Sequence, residues 1–355
     1  MTILVTGGAG FIGSNFILES LKNDDEKIIN VDSLTYAGNL ENLDSVYGSK
    51  NYEFIECDIA DTKKVNSVLE KYKPNSVINF AAESHVDRSI LGPEKFFQTN
   101  VIGTLKLLEA IKQFFINLDE SDKKFFRFIH VSTDEVYGSL STIEPAFTEN
   151  NQFKPNSPYA ASKASSDHIV RAYNHTYNIP CIITNCSNNY GPFQFPEKLI
   201  PLIIVNAIDL KPLPIYGKGD QIRDWLFVKD HCAAIKLVLK YGTVSNTYNI
   251  GGNCEMKNLD VVLTICNILD DMVPRKDGKK YDELIVYVKD RPGHDIRYAV
   301  DSSKIKKKLS WEPKVNFNDG LMETIKWYMS NNQWLANIKD GSYQDWITKN
   351  YSNRK

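Results

Sequence analysis

The stretch "VTGGAGFIGS", Val5 to Ser14, decides how the rest of the chain is read. Gly8, Gly10 and Gly13 fit the spacing GxGxxG, and Gly7, Gly10 and Gly13 fit GxxGxxG. A β-rich run, "ILVTG" (3–7), precedes it and an amphipathic stretch, "FIGSNFILESL" (11–21), follows. The first glycines allow a turn that side chains forbid. Gly10 lets backbone amides approach a pyrophosphate, and Gly13 lets the helix lie against the strand. A helix N-terminus at this point adds free N–H groups and a partial positive charge. In isolation the same glycines are only a turn; between a strand and a helix they point to a bound dinucleotide. Asp32 closes the next run, 19 positions after Gly13. A carboxylate there accepts both ribose hydroxyls and repels a 2′-phosphate, which favours NAD over NADP. Asp58, at the end of "FIECD", is placed to meet the adenine edge by analogous geometry.

Outward from this loop, short β-rich runs alternate with helix-like stretches: "KIINVD" (27–32), "YEFIECD" (52–58), "SVINFAA" (76–82), "FRFIHVST" (126–133) and "IPCIITNCS" (179–187). Continuous apolar strands separated by helices predict an α/β protein with a Rossmann-type, doubly wound parallel sheet covered on both faces. The last third changes character. "LPIYG" (213–217), "TYNIG" (247–251), "LIVYVKD" (284–290) and "RYAVD" (297–301) predict a smaller mixed α/β lobe. The expected division is a dinucleotide-binding domain over 1–190, its sheet completed by segments from about 218–250, and a substrate lobe made mainly of 191–355.

Bulk properties exclude several classes. With 355 residues, 42% hydrophobic and 24% charged, the chain has the composition of a globular protein with a sizeable core. A net charge of −2 makes no case for nucleic acid or membrane binding. No apolar run is long enough to span a membrane. The N-terminus enters "ILVTGG" at once, leaving no room for a signal peptide. Six scattered cysteines without a CxxC are expected to be reduced thiols in a cytoplasmic protein. The six histidines do not pair at i, i+4, so no metal site is expected.

The chemistry sits in two further stretches. "NSPYAASKASSDHIVRAY" (156–173) reads as a helix start, with Ser157 as cap and Pro158 in the first turn. Tyr159 and Lys163 are then i, i+4 neighbours. An ammonium nearby is expected to lower the phenol pKa and make a base that removes an alcohol proton. Such a pair is common by chance on helices; a glycine loop and a strand ending in Ser132–Thr133 turn the balance. At that strand's tip, Asp134 and Glu135 stand side by side. Neighbouring carboxylates do not ionise independently, so one is expected to stay protonated. A solvated acidic turn capping the next helix is the plainer alternative.

The glycine loop with Tyr-x-x-x-Lys resembles the extended short-chain dehydrogenase/reductases. "STDEVYG", "SPYAASKASSDHIVRAY", "NCSNNYGPFQFPEKLIPL", "IYGKGDQIRDWLFVKDH", "YNIGG" and "DRPGHDIRYAVD" together resemble the dTDP-glucose 4,6-dehydratase family, from Ile3 to about Tyr351. This resemblance implies oxidation of a nucleotide-linked glucose at carbon 4, loss of the carbon 6 hydroxyl as water, and return of hydride to carbon 6. It implies Tyr159 as the base at carbon 4, Glu135 as the base at carbon 5, Asp134 as the acid for the leaving hydroxyl and Thr133 as an orienting group. It implies NAD contacts at Gly7, Gly10, Phe11, Ile12 and Gly13; at Asp32, Leu34 and Thr35; at Asp58 and Ile59; and at Ala81, Ala82, Thr99, Tyr159, Lys163 and Asn189. Ser84, Thr133 and Asn188 become sugar contacts, and Glu197, Lys198 and Leu199 follow in the same motif. Arg223 and Arg291 become diphosphate ligands with Asn258 beside them, since arginine's planar fork suits phosphate. Pro214, Ile215 and Tyr216 offer faces for a pyrimidine base, with His294 and Tyr298 close by; core packing is the alternative for Ile215. The family implies a homodimer. A 4-epimerase or decarboxylase of the same fold is the nearest rival, but a small hydroxyl residue usually replaces the acid pair there. UDP-glucose as substrate and a non-catalytic NAD-binding sensor complete the alternatives.

Overall fold

The computed structural model describes residues 1–22, 26–339 and 341–352. Seven strands form the central sheet: β1 (Thr2–Thr6), β2 (Lys27–Asp32), β3 (Tyr52–Glu56), β4 (Ser76–Asn79), β5 (Arg127–Thr133), β6 (Cys181–Cys186) and β10 (Thr247–Ile250). Their order is β10-β6-β5-β4-β1-β2-β3, and every pairing is parallel. The chain runs outward from β1 in one direction and then returns to β4 on its other side. That reversal opens a crevice at the carboxyl ends of β1 and β4, where ligands of such sheets bind.

The strands read as unbroken apolar runs because both faces are covered. Ile3 and Val5 of β1 pack with the Phe11–Ser20 and Val228–Tyr241 helices, while Leu4 between them packs on the other side with the Thr62–Tyr72 and Thr104–Ile116 helices. Alternate residues of one strand thus serve two cores. Ser157 starts the Pro158–Tyr177 helix by accepting Ala160 N–H at 3.0 Å, a cap worth about 1 kcal/mol.

The remaining strands are β7 (Asn188–Tyr190), β8 (Leu213–Tyr216), β9 (Ile222–Phe227), β11 (Glu255–Lys257), β12 (Ile285–Val288) and β13 (Arg297–Tyr298). β9 is flanked by β11 and β13 and also pairs with β7, and β8 pairs with β12. A separate core beneath them joins the Leu199–Ile208, Asn258–Met272 and Phe317–Ser330 helices. Several expected strands are shorter in the structure, two of them with consequences for the site. The "RYAVD" strand stops after Tyr298, and the "SVINFAA" strand stops at Asn79, so that Phe80–Ala82 leave the sheet and face the crevice. Among the described residues no helix is long and apolar enough to cross a membrane, and the cysteines are free thiols.

Candidate active site

A cavity of about 480 Å³ runs from the glycine loop across the carboxyl ends of the central strands to β8 and β9. At its first end Gly7 takes φ +71°, and its N–H bonds Val31 O at 2.9 Å. A Cβ on Gly7 would stand 2.5 Å from Ala81 N, and one on Gly13 would stand 2.3 Å from Gly7 O. Gly10 differs, since its nearest neighbour would be Gly7 O at 3.3 Å. The loop is therefore packed hardest at Gly7 and Gly13 and less tightly at Gly10, where one backbone oxygen is the sole near neighbour, as a phosphate cradle requires. The helix behind it has no side-chain cap and no acid in its first turn, so its leading amides are free for an anion. A methyl at Gly13 is expected to cost about 1–3 kcal/mol by overpacking. Thermal unfolding of Gly13→Ala beside the parent checks this; an unchanged midpoint would show that the helix approach is not tight.

Asp32 is buried, and its two oxygens accept Ala9 N–H and Leu34 N–H, each at 2.9 Å. Burial pushes its pKa up, and the amides of Leu34, Ala9 and Ser33 pull against that. Thr35, Asp58, Ile59, Ala81, Ala82 and Thr99 line the same end. Leu34 does not. It sits at φ +50°, and it is the residue's amide that engages Asp32.

In the middle stand Thr133, Glu135, Tyr159 and Lys163. Tyr159 and Lys163 lie one turn apart on the buried face of their helix. Lys163 Nζ donates to Val131 O at 2.9 Å. The expected depression of the phenol is not what the geometry gives. Burial, and then the Glu135 carboxylate, push Tyr159 well above its ordinary pKa, while Thr133 opposes through a hydrogen bond. Removing water around a phenol disfavours its anion, and here that outweighs a cation committed to a backbone carbonyl.

Asp134 and Glu135 begin a single 3-10 turn, Asp134–Tyr137, and are not a solvated cap. Burial, Glu135 and Asp224 push Asp134 well above the usual carboxylate range. Burial raises Glu135 as well, but Arg291, Lys198 and Arg223 pull it back. Three cations thus face one acid of the pair and not the other to the same degree. Asp134 lies behind the cavity wall; its Oδ1 accepts Thr133 Oγ1 at 3.3 Å, and its Oδ2 is buried without a partner. Glu135 Oε2 is likewise unpartnered.

The far end collects the remaining expected residues. Arg223 is buried, donates to Asp295 O at 3.0 Å and lies 4.3 Å over the Tyr298 ring. Arg291 approaches Asp87 at 3.5 Å, and its Nε has no partner. The Oδ1 atoms of Asn188 and Asn258 are also buried and unpartnered, leaving acceptors for a ligand's hydroxyls or ring N–H. Lys198 Nζ donates to Ser84 O at 2.6 Å. Glu197 is already engaged, paired with Arg88 at 2.7 Å. Asn189 holds buried His231 at 2.8 Å. His294 bonds Asp290 at 2.6 Å, and burial pushes its pKa down to about 4. Leu199, Pro214, Ile215 and Tyr216 complete the wall. Of the expected residues, only Leu34 and Asp134 do not face the cavity.

Other lining residues carried no sequence signal. Arg88 lies between the rings of Tyr36 (3.9 Å) and Trp346 (4.2 Å), and Tyr36 lines the cavity. Asp87 accepts from Tyr216 Oη at 2.8 Å. Tyr351 lines the cavity 5.9 Å from the Tyr216 ring. Partners so far apart in sequence obey no spacing rule. His85 also lines the cavity, and its Nδ1 accepts Arg88 N–H at 3.4 Å and caps the Val86–Leu91 helix.

Residues 4–324 match the family model described as GDP-mannose 4,6 dehydratase. Over 363 aligned residues the chain is 53% identical to the dTDP-glucose 4,6-dehydratase of Salmonella typhimurium, covering all of both chains. It is similar to the dTDP-glucose 4,6-dehydratase of Bacillus anthracis in complex with NAD, with a TM-score of 0.84 and 46% identity over 96% of this chain and 100% of that one. The Streptomyces venezuelae dTDP-glucose 4,6-dehydratase, also solved with NAD, gives 0.86 and 43% over the same shares.

Proposed function

The chain belongs to the GDP-mannose 4,6 dehydratase family, within the extended short-chain dehydrogenase/reductases, and from that premise we propose that it converts dTDP-glucose to dTDP-4-keto-6-deoxyglucose and water. It is an NAD-dependent hydro-lyase. NAD, which the glycine loop and Asp32 would hold, would supply the hydride acceptor for carbon 4 and the hydride donor for carbon 6. The less crowded backbone at Gly10, the uncapped helix and buried Asp32 fit that cofactor.

The observation that carries the reading is the unequal electrostatics of Asp134 and Glu135. Hydroxide leaves poorly, so dehydration needs an acid still protonated near neutrality and a base beside it. Asp134 keeps its proton because burial, Glu135 and Asp224 all oppose its ionisation. Glu135 faces Arg291, Lys198 and Arg223, which favour its anion, and it removes the carbon 5 proton. Thr133 lines the cavity and its Oγ1 bonds Asp134, so it orients the sugar and relays the acid, giving its own hydroxyl proton to the leaving group and taking Asp134's in its place. Tyr159, in its ionised form, accepts the carbon 4 hydroxyl proton, and Lys163 supports that form. Arg223, Arg291 and Asn258 take the diphosphate, and Tyr216 packs on the base. Residues 1–190 hold the cofactor and 191–355 most of the nucleotide sugar. A homodimer through helices of the NAD domain is supported by the exposed Phe97 and Ile102 there. The absence of a metal requirement and a cytoplasmic setting belong to the same reading.

Incubation with dTDP-glucose and with UDP-glucose side by side, followed by alkali, tests it. The thymidine sugar is expected to gain the ultraviolet absorbance of a 4-keto-6-deoxy product, and deuterium placed at carbon 4 is expected on the product's methyl group. Recovery of unchanged nucleotide sugar, or deuterium washed out or left at carbon 4, would defeat it.

A further inference from the structure

The Tyr159–Lys163 stripe carries a third polar residue. Asp167 lies four positions beyond Lys163 on the same helix and is wholly buried. Its Oδ1 is 3.4 Å from His130 Nε2, and its Oδ2 accepts Asn185 Nδ2 at 3.1 Å. The protonation of His130 follows from its neighbours. Ser166 Oγ spends its proton on Lys163 O at 2.8 Å, so His130 Nε2, 3.1 Å from that oxygen, is the donor. On the other side Thr6 Oγ1 donates to Asn79 Oδ1 at 2.6 Å, and Asn79 Nδ2 donates to His130 Nδ1 at 3.1 Å. The ring is therefore neutral, with its proton on Nε2; burial and then Lys163 push its pKa down to about 4. His130 stands 3.4 Å from Asp167 Oδ1 with its proton directed to Ser166 Oγ, so it brings Asp167 no charge, and Oδ1 is buried without a hydrogen bond.

Among the described residues the cations nearest this carboxylate along its helix are Lys163, four positions before it, and Arg171, four positions after it, which also acts on His130. Groups set against Lys163 are the Val131 carbonyl and His130 from β5, Cys186 from β6 and Asp167 from its own helix. Burial pushes the Cys186 thiol up to about 12, so it carries no charge. Asp134 and Glu135 act on Tyr159, one turn back. Burial alone would raise Asp167, but His130, Lys163 and Ser132 outweigh it and hold its pKa below the ordinary value. Burial drives Lys163 toward the neutral amine, and Asp167 opposes that loss.

We propose that Asp167 is the buried counter-charge that keeps Lys163 an ammonium during hydride transfer, held in place by Asn185. It is a positioning residue, acting through Lys163. The inference rests on the reading above, which gives Lys163 its part in carbon 4 oxidation.

Asp167→Asn keeps the shape and removes the charge. Carbon 4 oxidation is followed across pH with substrate deuterated at that carbon, a step in which Asp134 takes no part. Losing the carboxylate lets Lys163 give up its proton at lower pH. The alkaline limb is expected to move down by about one unit, lowering the rate on that limb about tenfold. Asp167→Glu, which retains the charge, is expected to keep the limb near its parent position. A folded, NAD-loaded D167N with the parent limb overturns the inference. An inactive parent chain would instead overturn the reading on which it rests. A substrate-free arm uses thermal unfolding of K163M, D167N and the double variant. Losses well short of additive are expected, because the double variant buries no lone charge. Additive losses, or a double variant that cannot fold, would overturn the pairing.

Discussion

Asp134→Asn is expected to lower turnover of dTDP-glucose by about a hundred- to ten-thousand-fold, the usual worth of a general acid, while carbon 4 oxidation stays measurable. The substitution keeps the side chain's size and its hydrogen bond from Thr133 Oγ1, and removes only the acidic proton. Glu135, Tyr159 and the cofactor cradle are untouched, so oxidation and carbon 5 proton removal retain their groups. The pH dependence has a definite sign. A carboxyl with a raised pKa is active below that pKa and fails as pH rises through it. The parent should therefore lose water elimination on the alkaline side, and D134N should lack that limb. Rapid-mixing absorbance separates the steps: oxidation generates a near-ultraviolet signal, and elimination is read from the alkali-developed product. If D134N loses the oxidation signal together with the product, Asp134 is not the elimination acid.

Tyr159→Phe is expected to suppress the first step itself, again by about a hundred- to ten-thousand-fold. The ring can stay where it is. Tyr159 packs edge-on against Phe96 at 6.3 Å in a small buried cluster with Val86, and phenylalanine preserves that packing. Only the oxygen that Thr133 contacts is lost. Because burial and Glu135 oppose the phenolate, the phenol must release its proton to solvent before its oxygen can take the sugar's hydroxyl proton, and phenylalanine has no oxygen to do so. Unfolding temperature and retained NAD should match the parent. A normal rate of deuterium transfer from carbon 4 in Y159F would remove Tyr159 from the mechanism.

Those two residues also show how far the linear chain could be read. The Tyr159–Lys163 spacing and the Ser157 cap were legible because helical periodicity is local. The consequence for the phenol was not. Sequence spacing promises an ammonium nearby, but the sign of the shift depends on how much water is excluded and on what else Lys163 touches. Leu34 fails to reach the cavity for a similar reason: a positive φ is a property of one turn and leaves no mark in residue type. Tyr36 and Tyr351 come from distant parts of the chain, and only packing brings them to one cavity, with Arg88 and Trp346 stacked behind Tyr36.

The glycine loop, the alternating apolar runs and the position of Asp32 determined from sequence alone that a doubly wound parallel sheet would hold a dinucleotide, since each is a short-range steric or periodic requirement. Division of labour between Asp134 and Glu135 was settled only in three dimensions. Adjacent in sequence and alike in chemistry, they differ because Arg223, Arg291 and Lys198, all from later segments, fold over one carboxylate, while the other is enclosed with Asp224. Electrostatic energy depends on distance through space and on the water excluded from it, and neither quantity is written in the order of the residues.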